Sequence, residues 1–186
     1  MRPLRVIAGQ AKGRRIVSQK NLGARPTTQR VRSSLFSVLQ AEGFQDKQVL
    51  DLYAGTGTLG IEALSRGVVF ADFVDSNPKR CSLIRRSLYE LGFSPNAKVH
   101  CMKVETAIDR LGGLYDLVLM DPPYTLGPLH HIMEKVGKLA KDGALIATGH
   151  SKHHPLEDNY NALQLIRAQR YGDTICSIYR KEYLGN

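Results

Sequence analysis

The sequence predicts an α/β fold, with a mostly parallel sheet covered by helices on both faces and an antiparallel hairpin at the C-terminus. From position 48 to about 149, apolar runs typical of strands alternate with amphipathic stretches typical of helices. Repeated βα units of this kind require a parallel sheet. The chain then ends in two β-rich runs joined at Gly172-Asp173, where a tight hairpin turn is expected. We therefore expect seven strands.

The individual elements follow from local patterns. The first helix lies in TTQRVRSSLFSVLQAEG, where Thr27 or Thr28 can cap the start and Gly43 ends it. Further helices are predicted at TLGIEALSRG and PKRCSLIRRSLYELG, near Glu105 to Leu111, and around Leu129 to Ala140. The predicted strands are QVLDLY, FADFVD, AKVHCMKV, YDLVLMD, GALIATG, ALQLIRAQRY and TICSIYRKEY.

The positive charge of the chain is concentrated at its N-terminus. The net charge is +9, and nine of the 26 Lys and Arg residues but none of the 17 Asp and Glu residues lie in the first 41 positions. Such a segment indicates a polyanionic partner, because neutralising phosphates releases counterions; a solubilising tail is the alternative. Two short runs, 4–8 and 14–18, flank the loop GQAKG, which predicts a β-hairpin. The cations predicted to contact the polyanion are Arg2, Arg5, Lys12, Arg14, Arg15, Arg25, Arg30 and Arg32.

Length and hydropathy limit the class of protein. A chain of 186 residues suits one domain with a small appendage, and we expect a basic hairpin over residues 1–24 and the main domain over 25–186. No apolar run approaches the roughly 18 residues that span a bilayer, and the N-terminus lacks the apolar stretch of a secretory signal. We therefore expect a cytoplasmic monomer without membrane contact.

Neither the cysteines nor the histidines predict a metal site. Cys81, Cys101 and Cys176 are odd in number and far apart, which fits neither a disulfide framework nor a thiolate zinc site. The histidines at 150, 153 and 154 follow a predicted strand end and are expected to be solvated loop residues. No metal is predicted.

A glycine-rich turn lies between the strand and the helix of VLDLYAGTGTLG. Gly55, Gly57 and Gly60 form a G-x-G-x-x-G pattern in the structural context that binds cofactors. Glycine lets backbone amides approach a ligand, and the following helix N-terminus favours anions. The pattern alone is compatible with a nicotinamide enzyme, or with a purely structural turn.

Two carboxylates favour S-adenosylmethionine over a dinucleotide. Asp51 lies four residues before Gly55, where it can organise the loop or attract the cationic methionine end of the cofactor, whereas it would repel a pyrophosphate. Asp75 ends the next strand, where an acidic residue can accept both ribose hydroxyls. The structural alternatives are that Asp51 caps a turn and that Asp75 caps the helix starting at Pro78.

The tetrapeptide Asp121-Pro122-Pro123-Tyr124 follows an apolar strand and predicts the chemistry. Asp121 and the Pro122 carbonyl can accept both hydrogens of an aromatic amine, whose nitrogen is otherwise a poor nucleophile because its lone pair is delocalised. The prolines stiffen the turn, since their φ angles are fixed. The ring of Tyr124 can stack on an extruded base. Direct methyl transfer to an exocyclic amine is the predicted reaction, with positioning as its main source of rate.

Taken together, RVIAGQAKGRR, RPTTQRVRSSLF, DLYAGTGTLGIEALSRG, DPPY and RYGDTICSIYR resemble the RsmD family of bacterial 16S ribosomal RNA guanine-N2 methyltransferases, over nearly the whole chain and in the same order. The resemblance implies a Rossmann-like class I methyltransferase fold and, as partner, 16S ribosomal RNA within a small-subunit particle. It places the target guanine at Asp121 to Tyr124. It places S-adenosylmethionine at the loop Tyr53 to Gly57 and at Asp75. With the residues argued individually, the predicted cofactor residues are Asp51, Tyr53, Ala54, Gly55, Thr56, Gly57, Asp75, Ser76 and Val104.

The chain departs from the family pattern at three places. Lys103-Val104 stands where relatives commonly have an acidic or amide side chain followed by alanine, so the Val104 amide is expected to serve the adenine ring. Ser33 replaces a usual glutamate, and GALIATGHS lacks a usual acidic end. The tetrapeptide alone also fits an adenine-N6 methyltransferase acting on DNA or RNA. A non-catalytic RNA-binding assembly factor is the alternative from another class.

Overall fold

A computed structural model describes residues 3–19, 28–44, 47–111 and 115–183, apart from the side chain of Tyr124. Within these ranges one sheet has eight strands in the order β3-β2-β1-β4-β5-β8-β7-β6. Strands β1 to β5 are parallel, and β8, β7 and β6 continue the sheet in antiparallel pairs. The strands are β1 Gln48–Leu52, β2 Phe70–Asp75, β3 Ala97–Cys101, β4 Tyr115–Met120, β5 Ala140–Ser151, β6 Asn159–Tyr160, β7 Leu163–Tyr171 and β8 Thr174–Lys181.

Five α-helices of the described chain cover both faces of the sheet. They are α1 Gln29–Ala41, α2 Thr58–Ser65, α3 Pro78–Leu91, α4 Val104–Arg110 and α5 His130–Val136. Helices α1 to α3 pack on one face, and α4 and α5 pack on the other. The central strands are apolar on both sides: Leu117 and Leu119 of β4 face the first core, and Val118 and Met120 face the second. This double burial explains why these strands are continuous apolar runs.

The structure confirms the mostly parallel α/β fold with its C-terminal hairpin. Thr28 caps α1, because its Oγ1 accepts the Val31 N–H at 3.3 Å. The turn between β7 and β8 lies at Gly172-Asp173, with Gly172 at a φ of 63°. The sheet has one strand more than expected, since the two-residue β6 pairs with the start of β7.

The N-terminal segment forms a small hairpin that belongs to the first core. Arg5 and Arg15 form an antiparallel bridge, while Val6, Ala11 and Ile16 are buried with the apolar residues of α1 to α3. The boundary expected after residue 24 lies outside the described residues. The hairpin is thus packed against the main domain over residues 3–19.

The expectation of solvated loop histidines is wrong for His150. Strand β5 continues to Ser151, so His150 lies within the sheet and is buried. Its Nε2 lies 2.9 Å from Oγ of Ser177 in β8, and burial lowers the pKa of the ring. His153 and His154 are exposed after the strand, as expected.

The three cysteines of the chain all lie within the described residues. Cys81, Cys101 and Cys176 are free thiols, with Cys101 exposed and the other two buried. No helix in the described ranges is long and apolar enough to cross a membrane.

Candidate active site

Three aspartates lie near the carboxyl ends of three adjacent strands. Asp51 is in β1, Asp75 ends β2 and Asp121 directly follows β4. The sheet order places β2, β1 and β4 side by side, and open α/β sheets bind ligands at this edge. All three aspartates line one cavity of about 1010 Å³.

Two of these carboxylates hold the glycine-rich turn after β1. The Gly55 N–H donates to Asp75 Oδ2 at 2.9 Å, and the Gly60 N–H donates to Asp51 Oδ2 at 2.8 Å. At Gly60, a Cβ atom would lie 2.3 Å from Cε1 of Phe73 in β2. Gly60 therefore allows the close contact between α2 and the sheet, as the third glycine of this pattern does.

Tyr53 is strained at the entrance of the turn. Its φ of 56° lies in the left-handed region, which residues other than glycine rarely adopt. Its hydroxyl is buried without a hydrogen-bond partner among the described residues, and burial with the nearby charge of Glu105 raises the pKa of the phenol. Backbone strain and an unsatisfied polar atom are typical of ligand sites.

The buried carboxyl of Asp51 resists ionisation. Burial is the main cause, and the charges of Asp121 and Asp75 add to it, while the hydrogen bond from Gly60 opposes it. Together these effects raise the pKa of Asp51 to about 8. A cationic ligand near this cluster would relieve the repulsion and favour the carboxylate.

The tetrapeptide turn stands between β4 and β5. Pro122 is buried and Pro123 is exposed. The Pro123 carbonyl accepts the Leu126 N–H at 2.9 Å and so is used by the 3-10 turn that follows. Next to Asp121 lies Gly149 of β5, where a Cβ atom would approach Asp121 Oδ1 to 3.0 Å. The missing side chain of Gly149 makes room for the carboxylate.

The cavity has two sides that meet at Asp121 and Pro122. One side is formed by the glycine-rich turn, the end of β2 and the start of α4. The other is formed by the start of α1, the turn after Pro123 and the turn between β7 and β8. The second side is lined by Thr28, Arg30, Val31, Thr125, Leu126, Arg170, Tyr171, Gly172, Asp173 and Thr174.

Comparisons with known proteins identify the family. The family model described as "Conserved hypothetical protein 95" matches residues 4–180. Ribosomal RNA small subunit methyltransferase D of Escherichia coli (strain K12) is 32% identical over 98% of this chain and 92% of its own length. The chain belongs to the RsmD family. YlbH of Bacillus subtilis (strain 168) is 33% identical over 96% of this chain and 99% of its own.

A solved structure agrees with this RsmD-family assignment. The structure of yhhF from Escherichia coli superimposes with a TM-score of 0.85 at 28% identity, covering 97% of this chain and 98% of that one. The shared architecture extends over the N-terminal hairpin and the C-terminal strands as well as the central sheet. The Rossmann-like fold that the motifs predict is thereby confirmed.

The cavity of this RsmD-family chain fits the predicted cofactor. S-adenosylmethionine carries cations at its methionine end and hydroxyls on its ribose. The cavity offers the carboxylates of Asp51 and Asp75 and the unsatisfied hydroxyl of Tyr53. The predicted residues Ala54, Gly55, Thr56, Asp75, Ser76 and Val104 line it. Gly57 lies within the turn at a φ of 75°.

Tyr124 completes the tetrapeptide, and its ring lies outside the described part of the structure. The stacking role of this ring therefore stays a prediction. Among the described residues, no group of three or more His, Cys, Asp and Glu side chains could hold a metal ion.

The structure corrects one predicted RNA contact in this RsmD-family chain. Arg32 is 2% exposed. Its Nη2 donates to the Arg5 carbonyl at 2.5 Å, and its Nε lies 4.0 Å from Glu62 Oε2. Arg32 therefore supports the hairpin from inside and is not on the surface. Arg5, Lys12, Arg15 and Arg30 are exposed, whereas Arg2 and Arg25 lie outside the described residues.

Arg14 also has a structural contact, although it is exposed. Its Nη1 donates to the Leu91 carbonyl at 3.2 Å and its Nη2 donates to the Glu90 carbonyl. These carbonyls belong to the last turn of α3, which a cation stabilises. Arg14 thus ties the hairpin to α3.

Glu62 of α2 is a residue whose role the motifs did not predict. It is fully buried, and its two oxygens accept the backbone N–H groups of Ile7 and Ala8 at 2.8 and 3.0 Å. Arg66 Nε donates to the same carboxylate at 2.8 Å. The one sequence signal that could have indicated this role is an acidic residue within the mostly apolar helix α2.

Proposed function

We propose that this protein transfers a methyl group from S-adenosylmethionine to the N2 amino group of a guanine in 16S ribosomal RNA. The observation that carries the proposal is the position of Asp121, which lies in one cavity with the glycine-rich turn and with Asp51 and Asp75. An acceptor for an amine and a site for a cationic cofactor thus meet in one place. The relative named ribosomal RNA small subunit methyltransferase D supports the RNA substrate.

The cofactor supplies a methyl group bound to a positively charged sulfur, which makes its carbon electrophilic. Asp121 and the Pro122 carbonyl accept the two hydrogens of the target amine and turn the nitrogen lone pair towards the methyl carbon. S-adenosylmethionine held by Asp51, Tyr53 and Asp75 would supply the methyl group to this nitrogen, and its sulfur would keep the electron pair of the carbon–sulfur bond. The methylated nitrogen would be strongly acidic, and Asp121 can accept the proton that it loses. Positioning supplies much of the rate.

The stiffness of the turn serves this geometry. Pro122 is buried and fixed in φ, and Pro123 closes the 3-10 turn through its carbonyl. The stiff turn therefore fixes the backbone of Asp121 relative to the Pro122 carbonyl, and Gly149 leaves room for the Asp121 carboxylate. Tyr124 follows directly, where its ring would stack on the base.

The hairpin provides the general affinity for RNA in this proposal. Lys12 and Arg15 are exposed on it, and its buried residues fix it to the domain. Cations on a fixed scaffold bind phosphates without the ordering cost of a flexible tail. The acceptor RNA would therefore lie across the hairpin and reach the cavity with the target base.

The test is mass spectrometry of nucleosides from 16S ribosomal RNA of cells with and without the gene, followed by methylation of the unmodified RNA with purified protein. We expect N2-methylguanosine to be lost from the deletion strain and restored by the wild type, but not by Asp121→Ala. Isothermal titration should give similar affinities of both proteins for S-adenosylmethionine. Restoration of N6-methyladenosine would establish the adenine enzyme instead. Absence of cofactor binding would support a non-catalytic assembly factor.

A further inference from the structure

The turn between β7 and β8 forms a wall of the cavity that the mechanism above does not use. Arg170, Tyr171 and Gly172 line the cavity together with Arg30 and Val31 of α1. The turn is far from the glycine-rich turn in sequence and belongs to the antiparallel end of the sheet. In the sheet, β8 and β7 lie on the other side of β4 from β1 and β2, whose ends carry the cofactor residues.

Contacts within three pairs of residues fix the shape of this turn. The Tyr171 hydroxyl donates to Oγ of Ser34 in α1. On the other side, Lys152 Nζ lies 2.6 Å from Asp173 Oδ1, and the Lys152 N–H donates to the Asp173 carbonyl at 2.9 Å. Within the turn, Arg170 Nε donates to the Gly172 carbonyl at 2.8 Å. This last hydrogen bond orients the guanidinium of Arg170 while its residue stays exposed.

Charged side chains line both parts of the cavity. At the strand ends are Asp51, Asp75 and Asp121, with Arg80 Nη1 3.6 Å from Asp75 Oδ2 and with Lys103 also in the lining. The outer wall has Arg30 and Arg170, and its Asp173 is paired with Lys152. Apolar side chains also line the cavity, including Leu126, which is 41% exposed. A nucleotide has the matching pattern, because its amino group is a donor, its base is flat and apolar on its faces, and its phosphates are anions.

We propose that Arg30 and Arg170 bind the phosphodiester groups beside the target nucleotide, with Val31 and Leu126 against the extruded base. The inference rests on the proposed function, because it says which residues hold the RNA backbone on either side of the same target base. Guanidinium groups suit this role, since they bind phosphate oxygens in a bidentate manner. The β7–β8 turn and the start of α1 thus form the acceptor-nucleotide subsite, distinct from the hairpin that holds RNA more generally.

The experiment tests Arg30→Gln, Arg170→Gln and the double variant Arg30→Gln, Arg170→Gln. The control variant is Arg167→Gln. Arg167 is a matched control because it is an exposed arginine of β7 that does not line the cavity within the described ranges. Labelled S-adenosylmethionine and small ribosomal subunits from the deletion strain are the substrates. KM for subunits and kcat are measured at several salt concentrations, and the Kd for S-adenosylmethionine is measured by titration calorimetry.

We expect the double variant to raise KM for subunits about tenfold or more and to reduce the slope of log KM against log salt by about 2, one unit for each phosphate that is no longer neutralised. The Kd for the cofactor should stay within about twofold of the wild type. Arg170→Lys keeps the positive charge, so the slope of log KM against log salt should stay at the wild-type value. If the wild type is active and the double variant has the same KM and salt slope as Arg167→Gln, the inference is wrong and the proposed function stands. If the wild type methylates no subunits, both are overturned.

Discussion

Gly149 in β5 lies directly against the carboxylate of Asp121, so close that a Cβ atom at position 149 would be 3.0 Å from Oδ1. The two residues are on neighbouring segments because β4 and β5 pair in parallel. Strand β5 thus shapes the site although none of its residues was predicted to take part in it. The position of the aspartate depends on the absence of a side chain on the next strand.

We expect Gly149→Ala to lower kcat by about ten- to a hundredfold, because a small displacement of a positioning group has effects of this size. The aspartate can give way by a few tenths of an ångström without disturbing the core. The Kd for S-adenosylmethionine and the thermal unfolding midpoint should therefore stay close to the wild type. Single-turnover methylation of deletion-strain subunits measures the effect. An unchanged rate constant would mean that Asp121 does not need its present position.

Gly9 is required where the hairpin approaches α2. Its φ is 79°, and a Cβ atom there would lie 1.7 Å from the Ser65 carbonyl oxygen, a distance that no rotamer can relieve. We expect Gly9→Ala to reduce the free energy of unfolding by at least about 3 kcal/mol or to detach the hairpin. Urea denaturation measures the first outcome, and limited proteolysis in the hairpin measures the second.

Gly13 provides the control for this comparison. It has the same φ of 79°, but a Cβ atom would meet nothing within 4 Å. Gly13→Ala should therefore show only the backbone strain, about 1 kcal/mol. Equal reductions in the free energy of unfolding for the two variants would show that the close approach to Ser65 does not cause the destabilisation of Gly9→Ala.

Glu62 should be essential for the stability of the same region. Replacement by glutamine removes the charge beside the buried Arg32 and turns an amide donor towards a backbone N–H of Ile7 or Ala8. Leaving a buried charge without its partner costs about 3–5 kcal/mol. Urea denaturation of Glu62→Gln should show a destabilisation of this size, with the hairpin the first part to become susceptible to protease.

The exposed pair of Arg86 and Glu90 in α3 is the matched control, because it has the same i, i+4 spacing as Glu62 and Arg66. Glu90→Gln should cost less than about 0.5 kcal/mol. A destabilisation as small as this for Glu62→Gln would contradict the role of Glu62 as the anchor of the hairpin.

Local patterns were sufficient for the parts of the site that lie next to each other in sequence. Asp75 ends an apolar strand, the glycine-rich turn and the tetrapeptide each follow one, and parallel strands bring their ends to one edge. The contacts of Glu62 with Ile7, and of Gly149 with Asp121, join segments that no local pattern relates. His150 was misassigned because a polar residue in a buried strand resembles a strand end until its partner Ser177 is known.

The raised pKa of Asp51 predicts a pH-dependent stability. Between about pH 4 and about pH 8 the native carboxyl keeps a proton that the unfolded chain loses. The native state then binds more protons, so the free energy of unfolding falls as pH rises, by at most about 1.4 kcal/mol per pH unit. Asp51→Asn keeps an acceptor for the Gly60 N–H and should remove this contribution. Urea denaturation of both proteins from pH 5 to pH 8 measures the difference.

The same group predicts how cofactor affinity depends on pH. A cation near Asp51 favours the ionised form, so binding of S-adenosylmethionine should release protons and strengthen as pH rises from 6 towards the pKa of about 8. Titration calorimetry in buffers of different ionisation enthalpy counts the protons. Asp51→Asn should show weaker, pH-independent binding. Equal proton release by both proteins would assign the titration to another group.

The hairpin should contribute to RNA affinity through Lys12 and Arg15 rather than through Arg14, whose guanidinium is held by the end of α3. The double variant Lys12→Gln, Arg15→Gln should weaken 16S RNA binding and lower the slope of log Kd against log salt by about 2. Arg110→Gln with Lys135→Gln is the control, since these exposed cations lie on α4 and α5, which cover the opposite face of the sheet. Filter binding at several salt concentrations measures both. Equal slopes for the two double variants would mean that RNA does not lie on the hairpin.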